Sequence, residues 1–184
     1  MGGRLLLVPV GETDAAFLDA LGERVLTEIP LRGSKIAAAI DPAPFFDAAR
    51  KQVHSTPVLE RLAEHGSPDE KDRVLGVADL DLFVPILTFV FGEAELAGRA
   101  AVFSTARLDP VFYGLPPDPG LRFERSVKEA RHELGHTFGL IHCRHPDCVM
   151  RASTDAGDVD VKGAGYCGAC EKKLGPDPLG SGPV

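Results

Sequence analysis

Eleven residues constrain this chain more than any others: His132-Glu133-Leu134-Gly135-His136-Thr137-Phe138-Gly139-Leu140-Ile141-His142. On an α-helix, residues four apart share a face, so His132 and His136 can aim both imidazoles at one point. Glu133 is rotated by about 100° from His132 around the helix, so it can reach a water at that point without occupying it. His142 lies six residues beyond His136, with Gly139 midway. A straight helix would carry His142 away; a glycine free to take positive φ lets the chain turn and bring it back. Three neutral nitrogens around one zinc ion leave a position open for water, the pattern of a catalytic site and not of a closed structural one. Such an ion would lower the pKa of its water to about 7 and polarise a carbonyl. Glu133 would take the water's proton and deliver it to a leaving amine. A bare His-Glu-x-x-His fragment arises often by chance, but adding the glycine and third histidine at fixed offsets makes coincidence a poor explanation.

The four cysteines of the chain all follow this segment, as the pairs Cys143/Cys148 and Cys167/Cys170. Cys167-Gly168-Ala169-Cys170 is a knuckle suited to tetrahedral zinc, and Cys143 to Cys148 forms a looser one around Pro146. Four thiolates make a closed site that contributes folding free energy directly. Disulfides are the competing reading, disfavoured where no export leader is seen. A redox role for Cys167 and Cys170 lacks its βαβ setting. His145 could replace one thiolate, although simple exposure is the plainer reading. A second, structural zinc ion on Cys143, Cys148, Cys167 and Cys170 is therefore expected, pinning an end of the chain that is poor in apolar residues.

With 184 residues, 44% hydrophobic and 26% charged, the chain suits one globular domain, taken as residues 1–184. A net charge of -7 without a Lys/Arg-rich run argues against nucleic acid or an anionic membrane as partner. No stretch is apolar enough to span a bilayer. The N-terminus reads as a strand and not a signal peptide, and Leu6 spoils a myristoylation motif. A cytoplasmic monomer is the expectation. Strands are expected at residues 5–10, 35–40, 73–83, 87–91 and 99–106, with Gly92 and Gly98 bracketing the last connection. Helices are expected at about 14–28 with Thr13 as N-cap, at 55–65, and from 121 or 123 to 138, stopped by Gly139. Residues 1–139 would form the sheet-and-helix part. Residues 140–175 would form an irregular part stapled by the cysteines, and 176–184 a frayed tail. The order of elements gives an α/β class, with a mixed twisted sheet of about five strands in two or three layers.

The histidine segment matches the long zinc signature of the metzincin clan of metallopeptidases. Together with His142-Cys143, Cys148-Val149-Met150 and Cys167 to Cys170, it resembles the archaemetzincin family in particular. The motif block spans roughly residues 128–170, and the Cys148–Cys167 interval is about one residue shorter than the family spacing. Looser likeness extends upstream through Gly76–Leu82 and Phe91–Ala94. The resemblance implies a zinc-dependent peptidase with a metzincin-like fold acting on peptides, with aminopeptidase activity among those attributed to the family. It gives Met150 the place of a methionine turn beneath the histidines, ordinary packing being the other reading. It also implies that an upper edge strand binds extended substrate antiparallel. The candidate is residues 87–95, with main-chain bonds from Phe89, Val90, Phe91 and Gly92, unless this is a plain interior strand. A non-catalytic zinc protein that binds peptides or regulates a partner is the alternative function; an intact Glu133 speaks against it.

Overall fold

Two alternating apolar stripes build the central sheet. In strand β1 (Leu5–Val10), Leu5 and Leu7 pack on one side of the sheet, while Val8 and Val10 pack on the other. The computed structural model describes residues 2–65 and 69–175. The tail expected at residues 176–184 lies outside the described residues. β1 is flanked in parallel by β2 (Ser34–Ile36) and β5 (Arg73–Ala78), and β5 pairs in parallel with β8 (Ala100–Ser104). The edge strand β7 (Gly92–Ala94) runs antiparallel to β8, giving the five-strand order β2-β1-β5-β8-β7. Helices α1 (Ala15–Val25) and α3 (Pro119–Thr137) cover one face, and α2 (Ser55–Ala63) the other. The result is a three-layer α/β arrangement around a mixed sheet.

Several expectations need correction. Asp14, not Thr13, caps α1, accepting the Ala16 N–H at 2.8 Å, while the Thr13 hydroxyl donates to the Val77 carbonyl at 3.2 Å. The strand expected over 73–83 is two strands. β5 ends at Ala78, and Leu82–Phe83 form β6 in a small second sheet with β3 (Phe46–Asp47) and β4 (Gln52–His54). The break is fixed by Asp81, whose carboxylate takes both Arg107 guanidinium bonds at 2.7 and 2.8 Å and the Gln52 amide at 2.8 Å. The strand expected at 87–91 is a turn followed by one bridge, Leu82 to Val90; the strand proper starts at Gly92.

The C-terminal part is also more regular than expected. It holds α4 (Ala156–Val161), capped by Asp155, and α5 (Gly168–Leu174). It is not devoid of core either: Cys148, Val149, Met150, Val159 and Tyr166 are buried with the main cluster beneath α3. Polar clamps add to this. Arg125 forks onto Asp160 at 2.7 Å twice, and Lys162 meets Glu129 at 2.7 Å with both side chains buried. Arg131, 1% exposed, donates to Ala164 O at 2.6 Å, Arg24 O at 2.5 Å and Thr27 Oγ1 at 2.7 Å. One guanidinium thus ties α3 to the end of α1 and to the C-terminal part. Replacing it by an apolar side chain removes three charge-assisted hydrogen bonds to part-buried acceptors and the tie between these segments. Arg131→Leu is expected to cost about 3 kcal/mol of stability, read as a lower urea midpoint at unchanged slope.

Candidate active site

The site begins where α3 stops. Gly139 takes φ +83°. Its N–H donates to His136 O at 2.9 Å, and the Leu140 N–H donates to Gly135 O at 3.0 Å, closing a Schellman turn. The reversal sends the chain back under the helix. As it returns, the Leu140 carbonyl accepts from His136 Nδ1 at 2.7 Å and the Val149 carbonyl from His132 Nδ1 at 2.9 Å. A carbonyl can only accept, so each ring carries its proton on Nδ1 and turns a bare Nε2 outward. The two Nε2 atoms stand 3.2 Å apart. At zinc–nitrogen bonds of about 2.0–2.1 Å, a tetrahedral edge measures roughly 3.3–3.4 Å. His142 completes the group, its ring centroid 5.2 Å from that of His132 and 5.1 Å from that of His136. One ligand atom from each of the three lies within 4.8 Å of the others. His142 is exposed, which leaves that side of the group open.

Charge is arranged to suit a cation. Burial, helped by the Lys162 charge, holds His132 well below the usual histidine range. Burial also lowers His136. Both rings are thus kept neutral, as ligands must be. Glu133 is 5% exposed, and burial raises its carboxyl well above the usual range, with Glu129 and Glu93 adding repulsion and Lys162 opposing it. Its carboxylate lies against β7, where a Cβ on Gly92 would come within 2.6 Å of Glu133 Oε1 and of the Val102 carbonyl. Gly92 is therefore the one residue type that lets the strand and the carboxylate share this space.

Met150 is buried against α3, where a Cβ on Gly135 would collide with its sulfur. Cys143, Cys148, Cys167 and Cys170 converge on a second point. Cys143 Sγ and Cys167 Sγ lie 3.8 Å apart, the edge expected of a tetrahedron with zinc–sulfur bonds of about 2.3 Å and far beyond a disulfide bond. Backbone amides point at these sulfurs, His145 N to Cys143 and Cys167 N to Cys148, both at 3.4 Å. The Cys170 amide, the largest of its causes, brings Cys167 down to about 6, while burial raises Cys148 and Cys170. A cation bound here would have to draw the protons off Cys148 and Cys170, as thiolate ligation requires. Both donor sets fit zinc.

Of the residues read as substrate-binding, Phe89, Val90, Phe91 and Gly92 line a cavity of about 400 Å³ that also touches His132, Glu133 and His142. Their main-chain role differs from the expectation. Val90 N is spent on Leu82 O, and Phe91 O on Ser104 N. The outward groups of the edge strand are those of Gly92 and Ala94, which alternate with the pair bonded to β8. Sequence reasoning missed Glu129, which lines the same cavity together with Ser153 and Thr154. Its position three residues before His132 on the same helix face was the available signal. A separate cavity of about 1050 Å³ is lined by Gly3, Leu31, Lys71, Arg73 and Phe138 and holds none of the three histidines or four cysteines.

Comparison with known proteins agrees with this geometry. The model of peptidase family M54 matches residues 34–175. Archaemetzincin from Methanocaldococcus jannaschii is 42% identical over 172 residues, 93% of this chain and 92% of that protein. The solved structure of archaemetzincin from Methanopyrus kandleri superposes with TM-score 0.78 at 38% identity, covering 94% of this chain and 93% of that one. A zinc-dependent peptidase from Methanocorpusculum labreanum gives TM-score 0.82 at 28% identity over 92% of this chain and 99% of that one. Fold and site together are those of a zinc-dependent metallopeptidase. The chain belongs to peptidase family M54, the archaemetzincins.

The close approach of Gly92 to Glu133 yields a test. Gly92→Ala is expected to displace the carboxylate and lower kcat/KM on peptides by about 100-fold, with zinc content by mass spectrometry unchanged.

Proposed function

We propose that this protein hydrolyses peptide bonds at the three-histidine site, with His132, His136 and His142 as ligands of a catalytic zinc ion and Glu133 as general base. The observation that carries the reading is the buried Glu133 carboxylate, adjacent in sequence to His132 and lining a cavity shared with the imidazoles of His132 and His142. A structural site has no use for a carboxylate held at such cost. Zinc at these nitrogens would supply Lewis acidity and a water acidified to a pKa of about 7. Glu133 would receive that water's proton and carry it to the leaving nitrogen. Its raised proton affinity matches a group that must hold a proton between two steps. The N–H and C=O groups of Gly92 and Ala94 would fix an extended peptide alongside, as an added strand. Leu140 and Val149, through their carbonyls, keep two imidazoles in one tautomer and orientation throughout.

A second zinc ion on Cys143, Cys148, Cys167 and Cys170 would be structural, its four thiolates leaving no open position. Cys143 N–H donates to Met150 O at 2.9 Å, which supports a mechanical link from this staple to His142 and to the methionine turn. Residues 1–184 acting as one catalytic domain and as a cytoplasmic monomer, with neither nucleic acid nor membrane as partner, complete the proposal. No described helix is long and apolar enough to cross a membrane.

The test is digestion of a mixed peptide library by zinc-loaded protein beside Glu133→Ala, read by mass spectrometry. Cuts made by the wild type should fall at least about 100-fold in the variant, with both proteins holding equal zinc. Equal cutting by both would exclude Glu133 as the base; no cutting by either would favour a peptide-binding role.

A further inference from the structure

We propose that an exposed apolar shelf, formed by Phe112, Tyr113 and Leu115, extends the substrate cleft and binds an apolar side chain of the peptide several residues from the bond that is cut, an inference that rests on the peptidase reading above.

The shelf stands out by its exposure. Phe112 is 46% exposed, Tyr113 45% and Leu115 58%, with Val111 beside them at 50%. Apolar residues exposed singly are ordinary on a protein surface. Four of them within residues 111–115 make a patch, and patches mark contact sites.

Local hydrogen bonds hold these side chains outward. Asp109 accepts the Val111 N–H at 2.9 Å and opens the short 3₁₀ turn Pro110–Tyr113. Gly114 ends it at φ +75°, its N–H donating to Val111 O at 3.0 Å. The Leu115 N–H returns to Pro110 O at 3.2 Å, and the Tyr113 hydroxyl donates to Arg107 O at 3.0 Å. The rings of Phe112 and Tyr113 pack edge to face, their centroids 5.2 Å apart. A turn closed at both ends keeps this apolar surface in water until something covers it.

Position names the occupant. The Arg107 guanidinium lies 4.8 Å from the ring centroid of Phe112 and 3.9 Å from that of Phe89. Phe89 in turn lines the cavity of about 400 Å³ that also touches His132, Glu133 and His142. One side chain thus joins the shelf to the wall of the cleft. Asp81 fixes that side chain by accepting two of its N–H bonds, at 2.7 and 2.8 Å. A chain leaving the cavity past Phe89 meets Phe112 next. The cavity and the stack beyond it span about three to five residues of extended peptide at ~3.3 Å each.

The chemistry of the shelf selects an uncharged apolar side chain. The charges flanking it are paired, Arg107 with Asp81 at 2.7 Å and Arg122 with Asp109 at 3.6 Å. A second copy of this chain is a poorer occupant. Half-exposed side chains of this size offer roughly 400 Å² together, about half of what each partner buries in a stable dimer.

The experiment starts from a peptide that the library digestion shows to be cut. Phenylalanine or serine is placed about three to five residues from the cut bond, on each side in turn. Binding of dye-labelled forms to zinc-loaded Glu133→Ala protein is read by fluorescence anisotropy, and kcat/KM of the wild type by mass spectrometry. At one such position phenylalanine is expected to lower Kd by at least about 10-fold and to raise kcat/KM equally, through KM. Phe112→Ser, and Leu115→Ser, which leaves the hydrogen bonds of the turn in place, should each cut that gain to below about threefold. Equal binding of both peptides at every position, or a preference that survives both variants, would overturn the proposal while leaving a peptidase. A concentration-dependent dimer in analytical ultracentrifugation that Leu115→Ser dissolves would give the shelf to a second copy and overturn it too. No cleavage beyond the Glu133→Ala control would remove the peptidase reading and this inference with it.

Discussion

The left-handed turn at Gly139 sets the geometry on which the site depends. It closes the α3 helix with two backbone bonds, to Gly135 O and His136 O, and reverses the chain within three residues. Because of that reversal, the Leu140 carbonyl reaches the ring of His136, a residue of the helix it has just left. The same path brings His142 within ligand range and delivers the Val149 carbonyl to His132. A residue with a Cβ at position 139 would be strained in this conformation whatever space surrounds it. One backbone torsion therefore governs two tautomers and the arrival of a third imidazole.

Around that turn the protein buries an unusual amount of charge. Glu133, Glu129, Lys162, Arg125 and Arg131 are all under 8% exposed. Such groups are costly unless paired, and most are paired across the seam between α3 and the C-terminal part. Lys162 meets Glu129, Arg125 meets Asp160, and Arg131 satisfies two carbonyls and a hydroxyl. The pairs set the register of the C-terminal part against α3, and Met150 with Val149 lies in that register. Glu133 stands apart: its raised proton affinity reflects burial without a cationic partner in contact, which is the condition of a proton acceptor and not of a structural ion.

Much of this was legible in the sequence because the informative groups are local. Ligands four apart on a helix and a glycine three residues on need no tertiary knowledge to interpret, nor do paired cysteines. The unbroken apolar run from Leu5 to Val10 likewise declares a buried strand. What the sequence hid depends on distant partners. Residues 87–91 are as apolar as a strand, yet Arg50 donates to Leu87 O and Thr88 O, and Arg107 stacks on Phe89, so the segment is held as a turn. The pairing edge thus falls at Gly92–Ala94, short and nearly without side chains, where composition gives no strand signal. Residues 73–83 read as one apolar run because the Asp81 contacts to Arg107 and Gln52 that break it come from residues 26 and 29 positions away. α4 and α5 were missed because their helical signal is a capping aspartate at 155 and a cysteine at 167, not an apolar period.

The two donor sets flank a single peptide bond, His142 to Cys143, so a metal on the four cysteines would hold the segment that carries the third imidazole. Zinc K-edge absorption on protein reconstituted with two equivalents of zinc tests this most directly. Two different sites, equally filled and averaged together, predict about two sulfurs at roughly 2.3 Å and about two nitrogen or oxygen neighbours at roughly 2.0–2.1 Å per zinc. A sulfur-only shell with a single zinc retained, or a nitrogen and oxygen shell with the cysteines paired as disulfides, would contradict it.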